Sequence, residues 1–171
     1  MSFYNFVDKN IFLPLGDIIY GSCVSKRLRE FQQSDRITED ELLSLQNAKL
    51  QRLIEHCYAT VPYYKRVFDE RGIRPQDIKS KEDLKILPIL TKQMIRDNYD
   101  DLFSTVIKPN RRRPSSTGGS TGTPLKFCID ANEWSTWKAS TLRAWSWYGV
   151  NLGDKIFSLG GNSINQKNNF F

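Results

Sequence analysis

The sequence predicts an α/β chain in which a helical amino-terminal region gives way to the start of an α/β layer. Three observations predict it. Apolar residues recur at helical spacing behind capping signals over about the first 105 residues. Leu125-Lys126-Phe127-Cys128-Ile129 then alternates as a strand does. A further helical pattern separates that run from a second one, Lys155-Ile156-Phe157-Ser158-Leu159, and strand, helix, strand is the opening of an α/β layer.

The size and composition allow such a fold. With 171 residues, 39% hydrophobic and 26% charged, the chain is long enough for one domain with its own core and lacks the composition of a disordered protein. The net charge of +6 favours anionic partners, which include nucleotide phosphate, nucleic acid and acidic membrane surfaces. The most apolar stretch, Ile11 to Tyr20, is interrupted by Pro14, Gly16 and Asp17, so no transmembrane segment is expected. The opening MSFYNFVDKN has no basic region ahead of an apolar one, and the expected location is the cytoplasm. Cys23, Cys57 and Cys128 are too widely spaced for a disulfide framework or a metal motif and are expected as buried, reduced thiols.

The elements follow in order. The first 30 residues are amphipathic, with Phe3, Tyr4, Phe6, Ile11, Phe12 and Tyr20, and suit either a membrane surface or covering the rest of the fold. Thr38-Glu39-Asp40-Glu41 is a capping box that opens a long helix. Leu43, Leu50, Leu53, Ile54 and Cys57 share a face of it, and Val61-Pro62 ends it. Tyr63 to Arg71 forms a second helix closed by Gly72. Ser80-Lys81-Glu82-Asp83 starts a short helical turn, and Thr91 caps a helix to about Tyr99, with turns at Arg74-Pro75 and Leu87-Pro88. Asp130-Ala131-Asn132-Glu133 opens a helix ending at Gly149, and Trp134, Trp137, Thr141, Trp145 and Tyr148 form a stripe read as core packing. The character changes near residue 110, which divides the chain into a helical region, 1–110, and an α/β region, 111–171.

Between the two lies Ser115-Ser116-Thr117-Gly118-Gly119-Ser120-Thr121-Gly122-Thr123-Pro124-Leu125. The window from Lys108 to Lys126 contains five basic residues and no acidic one. Glycines let backbone amides turn toward an anion, and hydroxyls add donors to phosphate oxygens. The loop is not a Walker loop, because Gly122 leads into Thr-Pro-Leu and a strand instead of Lys and a helix. From composition alone it is either a phosphate cradle or a flexible linker or hairpin turn.

The segment from Thr117 to Pro124 closely resembles the phosphate loop of the adenylate-forming enzymes. Its GGSTGTPLKF form is most similar to the phenylacetate–CoA ligase-like branch, which includes CapK-type proteins of capsular polysaccharide clusters. Val61-Pro62-Tyr63-Tyr64 and Leu87-Pro88-Ile89-Leu90-Thr91-Lys92 are similar to two further elements of that branch. The resemblance runs from about residue 10 to 161. It implies that Thr117, Ser120 and Thr121 offer hydroxyls to ATP phosphates and that Gly118, Gly119 and Gly122 give backbone approach, with Thr123 in the same loop. It also implies a reaction joining a carboxylate to AMP, often followed by transfer to coenzyme A, with ATP and Mg²⁺ used by the full-length form.

Two positions depart from the pattern: Gly118 stands where many relatives carry serine, and a basic residue usually found just after the loop proline is displaced to Lys126. The family's later elements for magnesium and adenine, for ribose, and for catalysis by lysine have no counterpart in the sequence. The resemblance therefore implies an amino-terminal, truncated piece of the α/β subdomain, inactive by itself, with no catalytic residue or metal ligand to assign. The alternative is a stand-alone nucleotide- or partner-binding module, completed by a second polypeptide or a dimer that extends the sheet.

Other residues point elsewhere more weakly. His56, the sole histidine, is expected in a surface or structural role. Cys57 beside it points about 100° away on a helix and is not its catalytic partner. Arg111-Arg112-Arg113 lacks any nucleic-acid-binding motif around it, so no specific nucleic-acid binding is expected.

Overall fold

A computed structural model describes residues 3–117 and 124–157. Its amino-terminal run consists of α1 (Phe3–Val7), a π-helical turn (Asp8–Phe12) and α2 (Leu13–Tyr20). Gly21, at φ 61°, ends α2 in the left-handed conformation that glycine adopts without strain. The next helix, α3 (Val24–Ser34), is capped from the preceding one: Asp17 accepts from the Val24 and Ser25 N–H groups at 2.9 and 2.8 Å and from both the Ser22 and Ser25 hydroxyls.

The long helix α4 (Glu39–Thr60) begins as the sequence predicts. Thr38 Oγ1 accepts from the Glu41 N–H, and the Glu41 carboxylate accepts from the Thr38 N–H at 2.8 Å. Pro62 then starts α5 (Pro62–Arg71), closed by Gly72 at φ 63°. Short 3₁₀ turns at Pro75–Asp77 and Lys81–Ile86 lead to α6 (Lys92–Asp97), whose cap Thr91 accepts from the Met94 N–H. The cluster Ile54, Phe68 and Ile78 holds this section together, with Leu50, Tyr58, Ile73 and Leu87 around it. The expected face of α4 is only partly used: Leu50 and Ile54 pack inward, whereas Leu43 and Leu53 are exposed, because only α5 and the turns after it cover the helix.

Beyond Pro109–Arg111, a 3₁₀ turn, the chain makes a two-stranded antiparallel sheet from β1 (Arg113–Ser116) and β2 (Lys126–Ile129). Arg113 pairs with Ile129 and Ser116 with Lys126. The sheet therefore differs from the expected layer. The second strand is β1, before the loop, and Lys155-Ile156-Phe157 is not a strand; Ser158 and Leu159 lie outside the described residues.

Asp130 accepts from the Glu133 N–H at 2.7 Å and starts α7 (Ala131–Trp147), which packs on α3 through Val24, Leu28, Ala139 and Leu142. Ser135, fully buried, accepts from the Cys23 N–H and donates to the Ala131 carbonyl, so its burial costs no unpaired polar group. The aromatic stripe expected as core splits. Trp134 and Trp145 pack against this cluster, while Trp137 and Tyr148 are exposed, because the face that meets α3 is the one bearing Ser135, Ala139 and Leu142.

Candidate functional site

The glycine-rich segment joins β1 to β2, so it is the connection of a β-hairpin. Its neck is closed from both sides: the Thr117 N–H donates to the Leu125 carbonyl at 3.0 Å, and the Leu125 N–H donates to Thr117 Oγ1 at 3.0 Å. The Thr117 hydroxyl oxygen thus serves the neck as an acceptor, while its own O–H remains able to donate. Of the loop residues singled out by sequence, Thr117 stands in this position. Gly118, Gly119, Ser120, Thr121, Gly122 and Thr123 lie outside the described residues.

The hairpin is anchored below the neck by Arg112. Its guanidinium donates to the Ile107 carbonyl from Nε and Nη2, at 3.2 and 3.0 Å, and to the Ser104 carbonyl at 3.3 Å, and it stacks 4.4 Å from the Phe103 ring. Ser104 in turn donates to Thr60 Oγ1, and the Thr105 N–H donates to the Thr60 carbonyl at 2.8 Å. A continuous set of polar contacts therefore links the end of α4 to the base of the loop. On the other strand, the Tyr99 hydroxyl meets Cys128 Sγ at 4.0 Å. Burial, that thiol and the nearby Asp100 carboxylate push the Tyr99 phenol above its ordinary value.

At the foot of the loop lies a groove of about 320 Å³, lined by Ile95, Arg96, Tyr99, Pro124, Leu125 and Lys126. It places two cationic side chains and a phenol beside the hairpin neck, and the sequence from Lys108 to Lys126 adds no negative charge. Arg96 and Lys126 favour an oxyanion on their side of the groove, while the Asp100 carboxylate acts on the Tyr99 side. Sequence reasoning named Lys126 without a role and missed Arg96 and Tyr99. Their signal was their three-residue spacing, which brings side chains to one side of a helical turn, shortly after Leu87-Pro88-Ile89-Leu90-Thr91-Lys92.

The competing candidates fall into structural positions. His56 is exposed and contacts the Thr60 hydroxyl at 3.2 Å. Burial raises the Cys57 thiol above its ordinary value, the opposite of nucleophile activation. The three cysteines are free thiols, half-buried rather than fully so. Arg112 of the basic triplet is spent on backbone carbonyls, whereas Arg111 and Arg113 are exposed. No group of three or more His, Cys, Asp or Glu side chains able to hold a metal occurs among the described residues, nor does a helix long and apolar enough to cross a membrane.

No family model matches the chain. Among curated proteins, it is 30% identical over 127 residues to the phenylacetate-coenzyme A ligase of Aromatoleum evansii, covering 74% of this chain and 29% of that protein. It is 35% identical over 119 residues to the phenylacetate-coenzyme A ligase of Escherichia coli K12, 68% of this chain and 27% of the relative. Protein CapK of Staphylococcus aureus is 28% identical over 139 residues, 81% of this chain and 28% of CapK. The chain thus spans less than a third of the length of these relatives. By this repeated similarity over most of its own length, the chain belongs to the phenylacetate–CoA ligase-like family, in the branch that takes in CapK.

Proposed function

We propose that this chain is the amino-terminal part of a carboxylate-activating, adenylate-forming ligase and supplies the loop that holds the phosphates of ATP. The observation that carries the reading is the hairpin neck formed by Thr117 and Leu125 beside Arg96 and Lys126, which gives a glycine- and hydroxyl-rich loop a fixed base in a cationic setting. Gly118, Gly119 and Gly122 offer backbone approach, Ser120, Thr121 and Thr123 offer hydroxyls, and the Thr117 O–H adds a donor at the neck. Residues 1–110 then form the helical region and 111–171 the start of the ATP-binding subdomain.

In the reaction so assigned, a carboxylate oxygen bonds to the α-phosphorus of ATP, the bond from that phosphorus to the bridging oxygen breaks, and pyrophosphate leaves with the electron pair. The loop's donors and the two cations stabilise charge gathering on the departing pyrophosphate. Transfer of the acyl group to coenzyme A would follow in the full-length form. Mg²⁺ would supply further charge neutralisation when it accompanies the nucleotide, and no step is assigned to it. Turnover by this chain alone is not expected, and a role in capsular or surface polysaccharide synthesis rests on the similarity to CapK.

Titration calorimetry of the chain with ATP tests the reading. Ser120→Ala with Thr121→Ala should weaken ATP binding by roughly tenfold or more, since hydrogen bonds to charged groups are worth about 1.5–3 kcal/mol each. Unchanged affinity in a folded double variant removes the loop from the proposal.

A further inference from the structure

The groove at the foot of the loop has walls from two separate parts of the chain, and one aromatic ring joins them. Phe103, half-buried, takes the Arg112 guanidinium 4.4 Å from its ring centre and meets the Tyr99 ring edge-on at 5.0 Å. Arg112 immediately precedes β1, and the Tyr99 hydroxyl reaches Cys128 Sγ on β2. Pro114 and Cys128 are paired across the sheet. The contacts therefore close a ring, from Arg112 through Phe103 and Tyr99 to Cys128 and back through the strand pair.

Both walls depend on this ring. Tyr99 and Arg96, three residues before it, line one of them. Lys126 lines the other, and it shares a face of β2 with Cys128, two residues on, so the Tyr99 contact bears on the side of the strand that carries Lys126. The turn after α6 is held to α5 as well: Arg66 donates to Asn98 Oδ1 at 2.7 Å and to the Asp101 carboxylate at 3.0 Å, on either side of Tyr99. Arg112 ties the hairpin to this fixed turn through the Ser104 and Ile107 carbonyls and the Phe103 ring. Arg112, Phe103 and Tyr99 belong to neither hydrophobic cluster, so their contacts shape the groove without building either core.

We propose that Arg112 is a positioning residue for phosphate binding. Acting through Phe103 and Tyr99, it sets the distance between Arg96 on one wall of the groove and Lys126 on the other. Arg112 is not among the residues that line the groove, so its effect on a ligand there is indirect. That effect rests on the loop being the phosphate site proposed above, whereas the relay itself rests on the contacts. A guanidinium suits the task, because its rigid fork serves two carbonyls while its flat face stacks on a ring. Lysine keeps the charge over the ring but has no such fork.

Fluorotyrosine in place of Tyr99 tests this, its fluorine resonance being read beside the calorimetric affinity for ATP. Arg112→Met should move the resonance toward its position in the unfolded chain and lower ATP affinity by roughly threefold or more, with the protein still folded. Arg112→Lys should lie nearer the wild type in both readouts. Phe103→Leu should reproduce the methionine variant, and combining the two should add little, since both break one relay. A resonance that ignores Arg112→Met in a folded protein overturns the proposal, as does a shifted resonance with unchanged ATP affinity, or full additivity of the two substitutions. Should Arg112→Met fail to fold, Phe103→Leu carries the same two expectations and decides alone. A wild-type chain that binds no ATP overturns the phosphate reading itself, and the part of Arg112 in binding falls with it.

Discussion

Thr117 joins structure and proposed chemistry in one side chain. Its oxygen accepts the Leu125 N–H that closes the hairpin neck, which leaves its O–H for a ligand. Thr117→Ala removes both and should lower ATP affinity by several-fold; Thr117→Ser keeps the hydroxyl and should stay within about twofold, a contrast that calorimetry can read. The sequence made Thr117 legible as a hydroxyl donor but not as the neck's acceptor, because that role depends on β1 pairing with β2. Arg96 and Tyr99 were not legible as neighbours of the loop for the same reason. They come within reach through the packing of α6 beside Pro124 and Leu125, and no local pattern encodes that approach.

Among the elements, those fixed by local rules were the most readable. Thr38 and Asp130 start their helices, and Gly72 and the proline at 62 end or begin theirs as capping chemistry requires. β1 was not readable. Arg113-Pro-Ser-Ser has neither alternation nor β-branched residues, and it is a strand only because β2 pairs with it. The cap of α3 was hidden too, since its carboxylate comes from the previous helix. At that corner burial works against the Asp17 charge, but hydrogen bonds from Ser22, Ser25 and the Val24 and Ser25 backbone outweigh it and hold the carboxyl below its ordinary 3.8. The folded protein therefore releases this proton more readily than the unfolded chain. The corner's contribution is complete above about pH 4 and is lost as pH falls through the lower folded value. Asp17→Asn should cost about 1–2 kcal/mol at neutral pH and flatten the acid limb of a stability–pH curve.

At the scale of the molecule, the described residues form two hydrophobic clusters that share no residue. One joins α3 to α7 across more than a hundred residues of sequence, and the other is built from α4, α5 and the turns that follow. Helical spacing predicted parts of both, but which side of α7 would meet α3 was settled by long-range packing, so Trp137 and Tyr148 are exposed against expectation. Phe68 is fully buried at the centre of the second cluster. Phe68→Ala should cost about 3–5 kcal/mol, a large share of the stability of a domain this size. Hydrogen exchange should show protection lost first in α4 and α5, with α3 and α7 retaining theirs.

Competition shows whether the loop on this hairpin binds ATP through its phosphates. Labelled ATP bound to the chain is challenged in turn with pyrophosphate and with adenosine. Pyrophosphate should displace ATP at concentrations where adenosine does not, and the Ser120→Ala, Thr121→Ala variant should lose the difference. Displacement by adenosine with no effect of pyrophosphate would contradict it.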